Sequence, residues 1–131
     1  IYNGDEVFDT LPKNMFWNRF CDGNMSIEWQ MLDTEEGRNR LEIVKKLIRL
    51  HRFNDAISCG NFNWYEEECD ENIIAFVRKF KDTEETVMVN VGRTQQKAAL
   101  NKPGKIIFAN NANIVKNSVV LDEYGTLIIE N

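Results

Sequence analysis

Asp5 and Glu6 are the first residues in this chain whose types suggest chemistry, since adjacent carboxylates supply the groups used in acid–base and nucleophilic catalysis. Neighbours on an extended segment point to opposite sides, so this pair cannot flank one scissile bond. No catalytic residue is therefore assigned. A second acidic run, Glu66-Glu67-Glu68-Cys69-Asp70-Glu71, carries charge enough for a cation but lacks the alternation and turn glycine of a calcium loop. A solvated hairpin turn is expected there. His51, the only histidine, has no Cys, Asp or Glu at ligand spacing and reads as a packing residue. No metal site and no cofactor is expected. Cys21, Cys59 and Cys69 are odd in number and lack close paired spacing, which points to free thiols in a reducing, cytoplasmic setting.

Composition narrows the classes. A net charge of −5 is the wrong sign for a nucleic-acid footprint, so no nucleic-acid partner is expected. No stretch is apolar for long enough to cross a bilayer, so no membrane partner is expected either. The 131 residues fit one domain, or a small domain with an appendage, and a hydrophobic fraction of 43% is ample for a core.

The elements that must position these residues fall into two kinds. The first third is irregular and aromatic, with Phe8, Phe16, Trp17, Phe20 and Trp29 among Asn, Asp and Gly, and reads as a long loop. A helix follows from Asp33, with Glu36 completing a capping box. Leu41, Val44, Leu47, Ile48 and His51 make one stripe, which Ile43 and Leu50 widen. So wide an apolar arc suits a helix wedged between two bodies. Asn54-Asp55 and Ser58-Cys59-Gly60 read as turns, and short strands follow. Phe62 and Trp64 alternate, Ile73 to Phe80 is an apolar run, and Val87, Val89 and Val91 mark a half-buried strand. Ile106 to Phe108 follows the Pro103-Gly104 turn. Val119 to Leu121 and Leu127 to Ile129 are read as two strands separated by a hairpin at Asp122-Glu123-Tyr124-Gly125. The fold class expected is mainly β: an antiparallel, Greek-key-like sandwich preceded by an irregular loop and one long α-helix.

Several segments together resemble glycoside hydrolase family 13, the α-amylase family. Ile1-Tyr2-Asn3-Gly4-Asp5-Glu6 resembles the end of its eighth barrel strand, although Asn3 stands where Tyr is common. Leu41 to Arg52 is similar to its last barrel helix, and Cys59-Gly60-Asn61-Phe62-Asn63-Trp64 to the entry into its C-terminal β domain. Asn72-Ile73-Ile74-Ala75-Phe76-Val77-Arg78, Val87-Met88-Val89-Asn90-Val91 and Tyr124 to Glu130 resemble strands of that domain. The likeness is to the maltogenic amylase, cyclomaltodextrinase and α-glucosidase branches. It implies that residues 1–55 are the terminal strand remnant, loop and last helix of a (β/α)8 barrel, and 56–131 the C-terminal sandwich.

The resemblance also implies a parent enzyme that is a retaining α-glycosidase acting on α-glucan. Its catalytic carboxylates follow earlier barrel strands, so this chain alone is expected to be inactive. The missing barrel is the implied partner. A start without Met, within a strand, reads as a cut from a longer polypeptide. In the parent, Asp5, Glu6, Trp17, Arg19 and Trp29 lie near substrate by this analogy, as wall or junction residues. Trp64 and Tyr65 are possible glycan contacts, with a carbohydrate-binding module as the alternative function; Phe62 and Trp64 are otherwise expected in the core. Loss of the barrel leaves the helix arc uncovered, so the chain is expected to self-associate through it.

Overall fold

The computed structural model describes residues 5–9, 27–100 and 102–131. It divides into two compact units, Ile1–Arg49 and Leu50–Asn131.

Within the first unit, Asp5–Val7 forms one 3-10 turn and Trp29–Asp33 another. Asp5 and Glu6 are thus not on extended backbone, as the sequence suggested. The two turns are tied by the Glu28 N–H, which donates to Asp9 Oδ2 at 3.0 Å, and Val7 is buried. Gly37 closes this corner. A Cβ there would stand 1.9 Å from the Met31 carbonyl oxygen and 3.1 Å from that of Val7.

Gly37 lies in the first turn of α1 (Glu35–Phe53). The cap is Thr34 rather than the expected Asp33, because Asp33 is taken into the preceding 3-10 turn. Thr34 has extended backbone, and its hydroxyl accepts the Gly37 N–H at 3.0 Å. Glu35 and Glu36 in the first turn and Arg52 in the last complement the helix dipole. Leu41, Ile43 and Val44 are half-buried, whereas Leu47 and Ile48 are exposed.

The second unit opens with a correction to the expected turns. Asn54 has extended backbone and its Oδ1 accepts the Ile57 N–H at 3.0 Å, so it caps a short helix, α2 (Asp55–Cys59). Six strands follow: β1 (Asn61–Trp64), β2 (Ile73–Phe80), β3 (Thr83–Asn90), β4 (Gln96–Ala99), β5 (Lys105–Val115) and β6 (Ser118–Glu130). All pair antiparallel in one hydrogen-bonded sheet, in the order β1-β2-β3-β6-β4 with β5 along the other edge of β6. The mainly β architecture is as expected. β2 and β3 join through Lys81-Asp82, where Lys81 takes φ 54°.

The expected hairpin at 122–125 does not form. β6 runs on through it: Leu121 pairs with Ala112 and Thr126 with Asn110, leaving four residues of β6 to bulge against Asn111 alone. Tyr124 and Asn111 absorb the distortion at φ 52° and 49°. The true hairpin comes earlier, where Lys116 at φ 58° turns β5 into β6. β3 and β4 line the same edge of β6, and the gap between them, Val91 to Gln95, falls opposite this bulge. The lines of β5, β6 and β3–β4 are therefore interrupted at one place, which is how a single sheet folds on itself.

Ile73, Ala75, Met88, Leu127 and Ile129 from one half share a buried cluster with Ala98, Val119 and Leu121 from the other. β3 is buried on both faces rather than one: Met88 enters this cluster, while Val87 is buried on the opposite face. On that opposite face α2 packs on β2 and β3, with Ala56 buried. The two-sided burial corrects the half-buried strand that valine alternation suggested.

Candidate functional site

Two groups of residues in the second unit have side chains that packing alone does not explain. The first lies on the α2-covered face, where Glu85 is wholly buried. Its Oε1 accepts a hydrogen bond from Asn54 Nδ2 at 2.5 Å, and its Oε2 is buried without a partner. The strand register sets Arg78 on one side of Glu85 and Glu130 on the other. The Arg78 guanidinium donates instead to the Ala56 carbonyl at 3.3 Å. Burial pushes the Glu85 carboxyl above its ordinary range; the Asn54 bond opposes this and the Glu130 charge adds to it.

The second group is the sheet corner. Asn90 is fully buried, and its Nδ2 donates to the carbonyls of Thr94 and Asp122 at 2.8 Å and of Leu121 at 3.3 Å. Its Oδ1 accepts the Gly92 N–H at 2.8 Å. Asn90 is thus a pin through the bend. Gln95 reinforces it by donating to Asp122 Oδ1 at 2.6 Å.

Next to Glu85, the same face is apolar and open. Phe62 and Trp64 meet edge-to-face at 4.8 Å, and Phe62 lies 5.0 Å from Phe76. Trp64 is 57% exposed and Phe62 44%, so the expectation that they enter the core is corrected: β1 is an edge strand and these rings face outward on it. Ile74, on the same face of β2, is exposed as well. A groove of about 410 Å³ runs beside them between Phe62, Phe76, Ile57, Val87 and His51.

The residues singled out in the sequence do not converge. Glu6 is half-buried and the Asp5 side chain lies outside the described residues, as do Trp17 and Arg19. Trp29 is exposed at the start of its 3-10 turn. Tyr65 does not share a surface with Trp64; it packs against the inner cluster and lines a separate cleft of about 160 Å³ with Val77, Leu100 and Thr86. His51 is exposed in the last turn of α1, not packed as expected. The acidic run forms a 3-10 turn over Glu66–Glu68 and then a tight bend, where Asp70 Oδ1 accepts the Asn72 and Ile73 N–H groups at 2.7 Å. Among the described residues, no three His, Cys, Asp or Glu side chains are grouped to hold a metal, and no helix is long and apolar enough to cross a membrane. Glu85 escaped notice in the sequence, although extending the Val87–Val89–Val91 alternation back by two residues places it on the valine face. Asn90 carried no comparable signal.

The fold recurs in solved structures, where it makes up part of a longer chain. No family model matches the chain, and no curated protein matches it. Solved structures do. A variant isomaltulose synthase from Erwinia rhapontici NX5, in complex with its natural substrate sucrose, matches with a TM-score of 0.66 at 16% identity, over 80% of this chain and 21% of its own. Trehalulose synthase MutB from Pseudomonas mesoacidophila MX-45 matches with a TM-score of 0.64 at 13% identity, over 80% of this chain and 21% of its own. Amy13B from Eubacterium rectale gives 0.65 at 12% identity, over 70% and 19%. The chain spans about a fifth of the length of these proteins.

Proposed function

We propose that this chain is the C-terminal portion of an α-amylase-family enzyme acting on α-glucosidic substrates, and that within it the β domain is a non-catalytic scaffold. The observation that carries the reading is the outward apolar face of β1 and β2. Phe62, Trp64 and Ile74 are exposed on a fold that elsewhere makes up only a fifth of a larger protein. A face of this kind is built to be covered. In this reading a barrel covers it and supplies the two carboxylates that cleave the glycosidic bond. Asp5, Glu6, Trp17, Arg19 and Trp29 then border the substrate without reacting. The reading includes a reducing, cytoplasmic setting, supported by the free thiols of Cys59 and Cys69.

The test is sedimentation of the 131-residue chain over a range of concentrations, alongside assays with α-glucan and sucrose. Self-association through the exposed apolar surfaces, without turnover, is expected. A clean monomer at every concentration, or turnover by the chain alone, overturns the reading.

The outward Trp64 and Phe62 rings favour a second reading, in which the β domain itself holds glycan by stacking. Retardation in a starch gel that Trp64→Ala abolishes and Trp29→Ala does not would establish it. Absence of retardation leaves the scaffold reading alone.

A further inference from the structure

We propose that Glu85 and Asn54 form a pH-gated latch that fastens the corner between α1 and α2 to β3, seated while Glu85 is protonated and released when it ionises. The geometry is specific. Asn54 is the only residue between the two helices, and its side chain does two jobs: Oδ1 caps α2 at Ile57, and Nδ2 reaches down to Glu85. The carboxyl at the far end is wholly buried, with one oxygen satisfied and the other facing no partner.

The groups around Glu85 offer it no countercharge. Arg78 on β2 is engaged by the Ala56 carbonyl, and Glu130 on β6 has the same sign. Asp55 on α2 is also acidic. Lys105 on β5 stands across from Glu130, one strand further away. Lys81, at the β2–β3 turn, and His51 and Arg52, in the last turn of α1, form no ion pair with Glu85.

A buried carboxylate needs solvation at both oxygens. The Asn54 amide favours the ionised form but serves only Oε1. Water can serve Oε2 only if the corner lifts, which breaks the Asn54 bond and loosens the cap. The sign follows from burial raising the Glu85 carboxyl above its ordinary 4.5. The seated corner is fully stable below that ordinary value and loses stability as pH rises through the raised one.

The experiment follows the Glu85 carboxyl by carbon-13 NMR and the Ile57 amide by hydrogen exchange across pH, in the whole chain and in Glu85→Gln. Glu85 is expected to titrate above the exposed glutamates. Over the same interval, Ile57 protection should fall by up to about tenfold per pH unit beyond intrinsic exchange. In Glu85→Gln, which mimics the protonated acid, that extra fall should vanish. Titration of Glu85 together with the exposed glutamates overturns the latch. So does an unchanged Ile57 profile in the variant. Should Glu85→Gln fail to fold, the wild-type midpoints decide: coincidence of the carboxyl and amide transitions supports the latch, and separation refutes it.

Discussion

Asn90 on β3 donates to the Asp122 carbonyl on β6 at 2.8 Å, and this bond crosses the line along which the sheet folds over. The same amide holds the Leu121 and Thr94 carbonyls, so one side chain satisfies backbone that the bend takes out of the strand ladder. Asn90→Asp keeps the shape but removes the donors and sets a carboxylate against three carbonyl oxygens. A loss of about 3 kcal/mol is expected from the buried groups left unmatched. Urea unfolding at neutral pH checks it, and a loss below about 1 kcal/mol would show that the corner closes without its pin.

Gly125 makes the corner possible from the other side. A Cβ there would meet the Asn111 carbonyl oxygen at 2.4 Å and Asp122 backbone atoms at 2.9 and 3.0 Å, so nothing nearby can yield cheaply. At Gly92 the first atom met is the Asn72 side-chain oxygen at 2.7 Å, which can swing away. Gly125→Ala is expected to cost about 2–3 kcal/mol and Gly92→Ala clearly less. Equal losses in thermal unfolding would contradict this account of the bulge.

These two positions also show where the sequence ceased to speak. A continuous apolar run found β2, and alternation found β3, because side-chain period reports directly on which face is buried. It misread Asp122 to Gly125 as a hairpin because turn residues serve bulges and hairpins alike, and only the partner strand decides between them. It missed β4 entirely, since Gln96-Lys97-Ala98-Ala99 has a single buried side chain, Ala98. Trp64 was expected inside because strand spacing gives a face but not whether that face is covered. The mainly β, antiparallel class was legible; the corner and Glu85 depend on contacts between residues some thirty positions apart, for which local pattern has no signal.

Trp64 gives that last point a measurable form. Its ring is more than half exposed, so Trp64→Ala should change stability by about 1 kcal/mol or less. Met88, with no exposed surface in the shared core, should cost about 3 kcal/mol on replacement by Ala. Urea midpoints measure both. Comparable losses would mean that Trp64 is buried in solution, against some covering surface.

Glu84 and Glu85 are neighbours whose titrations run in opposite directions. Glu84 points to the other face, where Lys102 donates to it at 2.8 Å and holds its carboxyl below the ordinary 4.5. A depressed carboxyl contributes stability that is present above its unfolded value and is lost as pH falls through the folded one. Lys102 is 64% exposed, so solvent screening limits the pair to roughly 0.5 kcal/mol. Lys102→Met should therefore destabilise slightly at neutral pH and not at all once Glu84 is protonated, whereas Glu85→Gln should matter most as pH rises. Unfolding free energies at acid and neutral pH separate the two. A Lys102→Met loss that persists in acid would assign that contact to packing of the lysine stem rather than to charge.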